Sequence, residues 1–426
     1  MDVTVKVSMW GALVGAVTFE NGIGSFQYSQ EWIDTGLEIS PLKMPLSSQV
    51  YRFPELIRTK SFNGLCGLVA DSLPEKFGNK ILSQYLAKQG RSFDDMSAGE
   101  RLCYLGSRGM GALEYTPDYG EEDLTESIPI DIHELVDVAQ KVLSKANTDK
   151  ANIKDDGLEA LVQIGTSAGG AKAKAVIAWN EETGEVRSGQ GEAPKGFTHW
   201  LIKFDEIENE ELATAHQIGR IEYAYHLMAL DAGIDMERCE LMEDENKAHF
   251  MTQRFDRSDT GDKFHVQTFC GIAHADRDPP GQIGYESLFT TIRQLGLGQE
   301  ALNEMFRRMV FNICARNQDD HTKNHAFMMD AEGEWYLTPA YDLCFSYKPG
   351  NKFIETHQMS CNGKRDNFVL SDLLEAAASA DIKNPQKIIN EVQAATYKWK
   401  EFSKEAGLSS KEIDAIGKLF RRFKVS

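Results

Sequence analysis

The stretch from residue 301 to residue 342 limits the possible folds more than any other part of this 426-residue chain. Apolar residues recur in it at the three- and four-residue spacing of one helical face, at Leu302, Met305, Phe306, Met309, Val310, Ile313 and Cys314. This pattern predicts a buried helix that carries a polar loop, residues 317–324, on a rigid base. Two strand-like pieces follow, HAFMMD and EWYLTP, with a turn at residues 331–333 between them. The predicted hairpin returns the chain toward the polar loop and ends on Asp342.

The polar loop and the hairpin carry a carboxylate, a carboxamide and a second carboxylate in a fixed order. Asp319 precedes Asn324 by five positions, and Asp342 lies beyond the hairpin. Protein kinases use this order: an aspartate orients the hydroxyl nucleophile, an asparagine holds Mg²⁺, and a later aspartate holds Mg²⁺ on the phosphates. The D-x-x-x-x-N spacing alone also occurs in solvated loops. Assignment of the chain as a kinase therefore also requires a phosphate-binding loop and a lysine earlier in the sequence.

A glycine-rich stretch, IGTSAGGAKAKAVIAW at residues 164–179, supplies a candidate phosphate loop. Glycines let backbone N–H groups approach phosphate oxygens, and Lys172 and Lys174 add positive charge. No GK[ST] opens a helix here, so this is not a Walker loop, and a flexible β-turn with two exposed lysines is the alternative. The apolar strand FTHWLIKFD then places Lys203 near its end. A buried lysine needs an anionic partner such as the ATP phosphates, whereas an edge lysine would reach solvent.

The other elements follow in kinase order. The pair Pro74-Glu75 favours a helix start, a long helix is predicted over residues 210–232, and a strand over residues 250–257 should end at the hinge between two lobes. Its residues Gln253, Arg254 and Phe255 would border the adenine, unless this is an ordinary sheet strand.

Helical periods dominate after residue 257, whereas β-patterns dominate before it. We therefore predict an α+β, two-lobed protein-kinase-like fold. Its β-rich N-lobe carries an extra N-terminal subdomain, and its C-lobe is mostly helical. The predicted boundaries are 1–125 for the subdomain, 126–256 for the nucleotide-binding N-lobe, and 257–426 for the C-lobe with the catalytic and metal-binding loops.

Composition excludes several classes of function. The net charge of −19 argues against tight nucleic-acid binding by this chain alone and favours a basic partner, or none. The seven scattered cysteines contain no CxxC pair, which is typical of reduced thiols. No apolar run reaches transmembrane length, and the N-terminus alternates like a strand rather than a signal peptide. The expected location is the cytoplasm, with no membrane partner.

Seven stretches, which represent six structural elements in order, resemble the HipA-type serine/threonine kinases, the toxins of bacterial toxin–antitoxin modules. The similarity covers nearly the whole chain. Two stretches resemble the N-terminal subdomain of that family, NGLCGLVADSLPEKFG and YLGSRGMGALEY. Others resemble its phosphate loop, lysine strand, hinge, catalytic loop and metal-binding element, namely SAGGAKAKAVI, HWLIKFD, QRFDR, NQDDHTKN and PAYDL.

This resemblance implies a role for each matching residue. Asp319 would be the catalytic base, Asn324 and Asp342 would hold Mg²⁺, and Ser167 would be autophosphorylated, which ejects the loop and stops ATP binding. Thr166 is the second candidate for that modification. The residues implied to bind ATP are Gly169, Gly170, Ala171, Lys172, Ala173, Lys174, Lys203, Gln253, Arg254, Phe255, His321, Thr322, Lys323, Asn324, Tyr341 and Asp342. The chain departs from one common form of the catalytic motif, D-G-H-A-K-N, by having Asp320 and Thr322.

The resemblance also implies ATP- and Mg²⁺-dependent phosphorylation of a protein, with an aminoacyl-tRNA synthetase as the best-known target class. It implies a HipB-like antitoxin with a helix-turn-helix fold, which would make most operator DNA contacts. The acidic charge independently suits a basic antitoxin. Two alternatives are a small-molecule kinase of the aminoglycoside or sugar type and a non-catalytic corepressor. The N-terminal subdomain argues against the first, and the complete set of Lys203, Asp319, Asn324 and Asp342 argues against the second.

Overall fold

The computed structural model describes residues 4–117, 128–143, 155–165, 170, 172–190, 193–205, 217–244, 247–258 and 261–424. Within these ranges the strands are β1 Val5–Met9, β2 Ala12–Glu20, β3 Ile23–Tyr28, β4 Tyr51–Arg52, β5 Glu114–Thr116, β6 Lys174–Trp179, β7 Val186–Ser188, β8 Thr198–Lys203, β9 Cys239–Asp244, β10 Lys247–Gln253, β11 His265–Thr268, β12 Ala326–Met329 and β13 Trp335–Leu337. The described helices are α1 Gln30–Thr35, α2 Gly67–Ala70, α3 Lys76–Lys88, α4 Ala98–Leu105, α5 Ile132–Leu143, α6 Asp155–Gly165, α7 Ile218–Asp231, α8 Phe269–Ala273, α9 Tyr285–Gln294, α10 Gln299–Cys314, α11 Leu370–Ser379, α12 Pro385–Tyr397, α13 Trp399–Glu405 and α14 Ser410–Gly417.

The N-terminal sheet is an antiparallel meander in the order β4-β3-β2-β1-β5. In β1, Val5, Val7 and Met9 point to the buried face and alternate with more exposed residues, the period-two pattern of a half-buried strand. Asn21 and Gly22 connect β2 to β3 with φ values of 53° and 76°, as a tight hairpin turn requires. The strand predicted from the alternating pattern of the N-terminus is therefore confirmed.

The second sheet, ordered β7-β6-β8-β10-β9, is also antiparallel and carries the candidate phosphate loop and lysine strand. Its register pairs Lys174 of β6 with Lys203 of β8, and Lys203 with Phe250 of β10. Helices α3, α5 and α6 share one hydrophobic core with the apolar residues of this sheet. Helix α3 thus extends from the predicted subdomain of residues 1–125 into the core of the neighbouring lobe.

The third part is mainly helical. Its largest core joins α7 with α9 to α14, and the predicted apolar face of α10 is fully within it. A small sheet in the order β11-β12-β13 includes the predicted hairpin, with Phe327 opposite Leu337. No helix within the described ranges is long and apolar enough to cross a membrane.

Several predicted boundaries differ from the structure. The hinge strand spans Lys247–Gln253 rather than residues 250–257, and α3 begins at Lys76, with Glu75 as its N-cap. The predicted helix over residues 210–232 is described only from Ile218, because residues 206–216 lie outside the described ranges. The helical pattern that dominates after residue 257 is interrupted at Lys398, which separates α12 from α13.

Candidate active site

A lysine at the end of β8 joins the two lobes through carboxylates. The Nζ of Lys203 lies 2.6 Å from Oδ1 of Asp342 and also donates a hydrogen bond to Glu222 of α7. Lys172 lies 3.7 Å from the other carboxylate oxygen of Glu222. Lys203 and Glu222 are both almost completely buried. The predicted partner of Lys203 is anionic, and in this structure two carboxylates fill that position.

Charges of opposite sign decide the protonation states in this centre. Burial alone would raise the pKa of Asp342, but Lys203, Lys174 and Lys172 outweigh burial, so the pKa is well below its usual range. Burial alone would lower the pKa of Lys203, but Asp342 and Glu222 raise it well above its usual range. For Lys174 burial prevails and lowers the pKa to about 8. The centre is therefore a desolvated cluster of cations arranged around the carboxylate of Asp342.

The catalytic loop is folded back on its own backbone. The N–H of His321 and the side-chain amide of Asn324 both donate to the carbonyl of Asp319, at 2.9 and 2.8 Å. A single 3-10 turn, Thr322–Asn324, follows, and the hydroxyl of Tyr341 donates to the carbonyl of Lys323 at 2.7 Å. These bonds fix Asp319 and Asn324 with respect to each other and to the residue before Asp342.

Burial raises the pKa of Asp319, and the nearby carboxylate of Asp342 adds to that rise. His321 and Lys172 act in the opposite direction but do not offset burial. The joint binding of one Mg²⁺ by Asn324 and Asp342 stays a prediction.

The described part of the phosphate loop lies against α3. Gly170, with a φ of +106°, donates its N–H to Glu75 at 2.8 Å, and its carbonyl accepts from the N–H of Phe77 at 3.2 Å. Ala173 and Lys174 are buried, and the carbonyl of Ala173 accepts from Phe204 at 3.0 Å. The predicted residues Thr166, Ser167, Gly169 and Ala171 lie outside the described residues.

The hinge places two aromatic rings together and turns one predicted residue away. The rings of Phe255 and Tyr341 are 5.8 Å apart between centroids and tilted by 34°, so they pack against each other. The side chain of Arg254 instead forms two bonds to Asp256, at 2.8 and 2.7 Å, and is buried. Only the backbone of Arg254 could then border a nucleotide. Gln253 donates its N–H to the carbonyl of Arg238.

Two residues of the candidate site, Glu222 and Glu75, were absent from the sequence prediction. Glu222 is a charged residue among apolar positions of α7, and that was the one signal that could have found it. Its pairing with Lys203 corresponds to the lysine–glutamate ion pair that protein kinases place between a strand and a helix. Glu75 contacts both Gly170 and Lys323, and its only sequence signal was its place in a helix start.

The residues present fit Mg²⁺ and ATP. Asn324 and Asp342 offer the hard oxygen donors that Mg²⁺ prefers, and Lys172, Lys174 and Lys203 offer cations for phosphates. At Gly170 a Cβ would come within 2.8 Å of the Nζ of Lys174, so a glycine keeps the space beside this lysine open. Asn324 and Asp342 would hold the metal, and the three lysines would hold the phosphates.

The fold and the site together define a two-lobed, kinase-like protein with an added N-terminal sheet, as predicted. Residues 5–116 match the model of the HipA N-terminal domain, and residues 166–399 match the model of the HipA-like C-terminal domain. The chain therefore belongs to the HipA family, and the resemblance seen in the sequence is confirmed.

Two solved structures show similar chains. One is the complex of the Shewanella oneidensis MR-1 toxin–antitoxin proteins HipA and HipB with their operator DNA, at a TM-score of 0.68 and 16% identity over 97% of this chain and 95% of that chain. At this identity the likeness concerns the fold. The other is the Helicobacter pylori proinflammatory kinase CtkA, at a TM-score of 0.31 and 12% identity over 52% of this chain and 88% of that chain. So low a TM-score does not show a common fold for the two chains.

Proposed function

We propose that this protein is an ATP- and Mg²⁺-dependent serine/threonine protein kinase and the toxin of a toxin–antitoxin module. One observation carries the proposal. Lys203, Glu222 and Asp342 meet in an ion-pair centre in which Lys203 and Glu222 are buried, and the hydroxyl of Tyr341, next to Asp342, is bonded to the catalytic loop at the carbonyl of Lys323. This is the arrangement by which kinases hold phosphates and orient a hydroxyl nucleophile.

Each residue of the candidate active site has a distinct role in this proposal. Bound Mg²⁺-ATP supplies the transferable phosphoryl group and the counter-charge for it. Asp319 accepts a hydrogen bond from the substrate hydroxyl through its carboxylate, and its raised pKa brings it nearer to the working pH of a general base. Lys203, held by Glu222, presents its ammonium group to the phosphates, and Lys172 and Lys174 neutralise further charge. The charge on the transferred phosphoryl group is thus stabilised mainly by positioned side chains, with little covalent chemistry by the protein.

A protein is the proposed substrate, with an aminoacyl-tRNA synthetase as the expected class, and Ser167 is the proposed site of autophosphorylation. A phosphate there adds roughly −1.5 to −2 charges to a loop that must hold anions. The proposed partner is a HipB-like, basic, DNA-binding antitoxin. Two findings support it: the net charge of −19, and the presence of HipB and operator DNA in the structure of the Shewanella relative.

The test is incubation of the purified protein with Mg²⁺ and γ-labelled ATP, alone and with a cell extract. We expect label on a protein of the extract and, by mass spectrometry, on Ser167 or Thr166. Asp342→Ala should label nothing, since it removes a metal ligand and a partner of Lys203. A labelled metabolite without labelled protein would instead identify a small-molecule kinase. Antitoxin binding with no transfer by any preparation would identify a corepressor.

A further inference from the structure

Glu75 lies where the N-terminal sheet unit, the phosphate loop and the catalytic loop meet. Its Oε2 accepts from the N–H of Gly170 at 2.8 Å, and its Oε1 lies 2.9 Å from the Nζ of Lys323. Arg277 approaches Oε2 to 3.4 Å. The Glu75 side chain is only 12% exposed. One carboxylate therefore joins three segments that are far apart in the sequence.

Gly170 is held by two hydrogen bonds to the start of α3. Its N–H is bound by Glu75, and its carbonyl accepts from the N–H of Phe77 in the first turn of α3. The φ of +106° at Gly170 is a conformation that other residues rarely adopt. A peptide unit held on both sides by one helix start cannot move away unless both bonds break. The start of α3 thus fixes the described end of the phosphate loop.

Electrostatics reinforce this geometry. Burial would raise the pKa of Glu75, but Lys323 and Arg277 outweigh it and hold the pKa well below its usual range. Burial would lower the pKa of Lys323, but Glu75 and Asp71 raise it above its usual range. Both groups are therefore charged at neutral pH, and a charged pair this well shielded from water is costly to separate.

The helix that carries Glu75 is itself held firmly. Its apolar residues Phe77, Ile81 and Leu82 are fully buried and pack in one core with α5 and α6. Just before it, Asp71 accepts from the N–H of Thr268 at 2.7 Å, which ties the segment to the catalytic lobe. Glu75 is consequently presented from a base that is anchored to both lobes.

We propose that Glu75 is a positioning residue, which holds Gly170 of the phosphate loop and Lys323 of the catalytic loop in the one arrangement that receives ATP. The inference rests on the proposed kinase function. Glu75 touches no reacting atom; it acts by ordering the two loops before the nucleotide binds. Ordering a loop beforehand reduces the conformational entropy lost on binding, so the effect falls on nucleotide affinity rather than on the chemical step.

The test compares Glu75→Ala and Glu75→Gln with Glu55→Ala, which removes an exposed carboxylate from the same N-terminal unit. The affinity for Mg²⁺ with AMP-PNP is measured by calorimetry, and kcat and KM for ATP are measured by protein labelling. We expect Glu75→Ala to weaken AMP-PNP binding and raise KM by about ten- to hundredfold, with kcat within about threefold. Glu75→Gln, which can still accept from Gly170 but loses its charge, should lie between, and Glu55→Ala should match the wild type.

Two results would overturn the inference. Unchanged nucleotide affinity with a lower unfolding temperature would make Glu75 a purely structural residue. Tighter nucleotide binding would show that Glu75 competes with phosphate for the N–H of Gly170. If Glu75→Ala does not fold, the near-isosteric Glu75→Gln decides the question alone. Failure of the wild-type protein to bind AMP-PNP at all would instead refute the proposed kinase function, so the two failures are distinct.

Discussion

The two sides of the catalytic loop carry adjacent aspartates with opposite surroundings. Asp320 faces the interior of the helical lobe and is 1% exposed. Its carboxylate accepts from the hydroxyl of Tyr285 and the N–H of Gln358, both at 2.8 Å, and Nδ1 of His357 is at the same distance. Asp319 faces the cleft, and in the described part of the chain no residue donates a hydrogen bond to its carboxylate. The loop is held by the Asp319 carbonyl, and the carboxylate remains available.

The pKa values of the two aspartates shift in opposite directions. Burial acts on both carboxyls in the upward direction, and for Asp319 it prevails, with Asp342 adding to the rise. For Asp320 the neighbouring His357 ring and the hydrogen bonds to the carboxylate outweigh burial, so its pKa is lowered. Neighbouring groups whose environments push their pKa values apart commonly have different tasks. Here Asp320 anchors the loop, and the proposed function assigns the proton chemistry to Asp319.

The largest expected effect is on activity, through Asp319. We expect Asp319→Gln to lower the rate of protein phosphorylation by roughly 10²- to 10⁴-fold, the usual contribution of a positioned general base. Affinity for Mg²⁺ with AMP-PNP should be nearly unchanged. Overproduction of this variant without a partner should no longer arrest growth. The matched control is Asp320→Asn, which should be milder. Equal activity of Asp319→Gln and wild type in the labelling assay would remove the distinction between the two aspartates.

The next effect is on stability, through Asp320. Replacement by Ala would leave the N–H of Gln358, the hydroxyl of Tyr285 and the ring of His357 without their shared acceptor. We expect the free energy of unfolding to fall by about 3 kcal/mol, as when one member of a buried charged network is removed.

Denaturant unfolding monitored by tryptophan fluorescence measures this loss. The control is Asp381→Asn, which removes the charge of an exposed carboxylate paired with Arg293, suits the φ of 54° at this position, and should change stability by less than about 1 kcal/mol. Similar losses from both substitutions would show that Asp320 is no anchor.

The contrast also shows what sequence could predict. The buried face of α10, the hairpin and the order of Asp319, Asn324 and Asp342 follow from local periodicity and short spacings, and the structure contains the first two as predicted. The anchoring of Asp320 depends on His357, which is 37 positions away. In the sequence Asp320 was simply a departure at a side position, because nothing local indicates which aspartate faces the core.

Glu75 and Glu222 illustrate the same limit. Glu75 bonds to Gly170, 95 positions later, and pairs with Lys323 in the other lobe. Glu222 meets Lys203 only because α7 packs beside β10, next to β8. Spacing along the chain carries no record of such contacts. Hydrophobic patterns predict the elements, but the pairing of charges between them requires the packed structure.

A pair of lysines repeats the comparison on a smaller scale. Lys174 and Lys203 are opposite each other on β6 and β8, yet burial lowers the pKa of Lys174 to about 8, whereas Asp342 and Glu222 raise that of Lys203. Of these two lysines, only Lys174 should therefore lose its charge when the pH is raised from 7 to 9.

We expect affinity for Mg²⁺ with AMP-PNP to fall by up to about tenfold over this range, since a neutral amine no longer attracts phosphate. Lys174→Arg stays charged and should show a flat profile. Stability should move the other way. The folded pKa of Lys174 lies below its unfolded value, so the unfolded state binds more protons between about pH 8 and pH 10.5, and this group's contribution rises with pH. Parallel loss of affinity in the wild type and in Lys174→Arg would assign the pH dependence to another group and leave the two lysines equivalent.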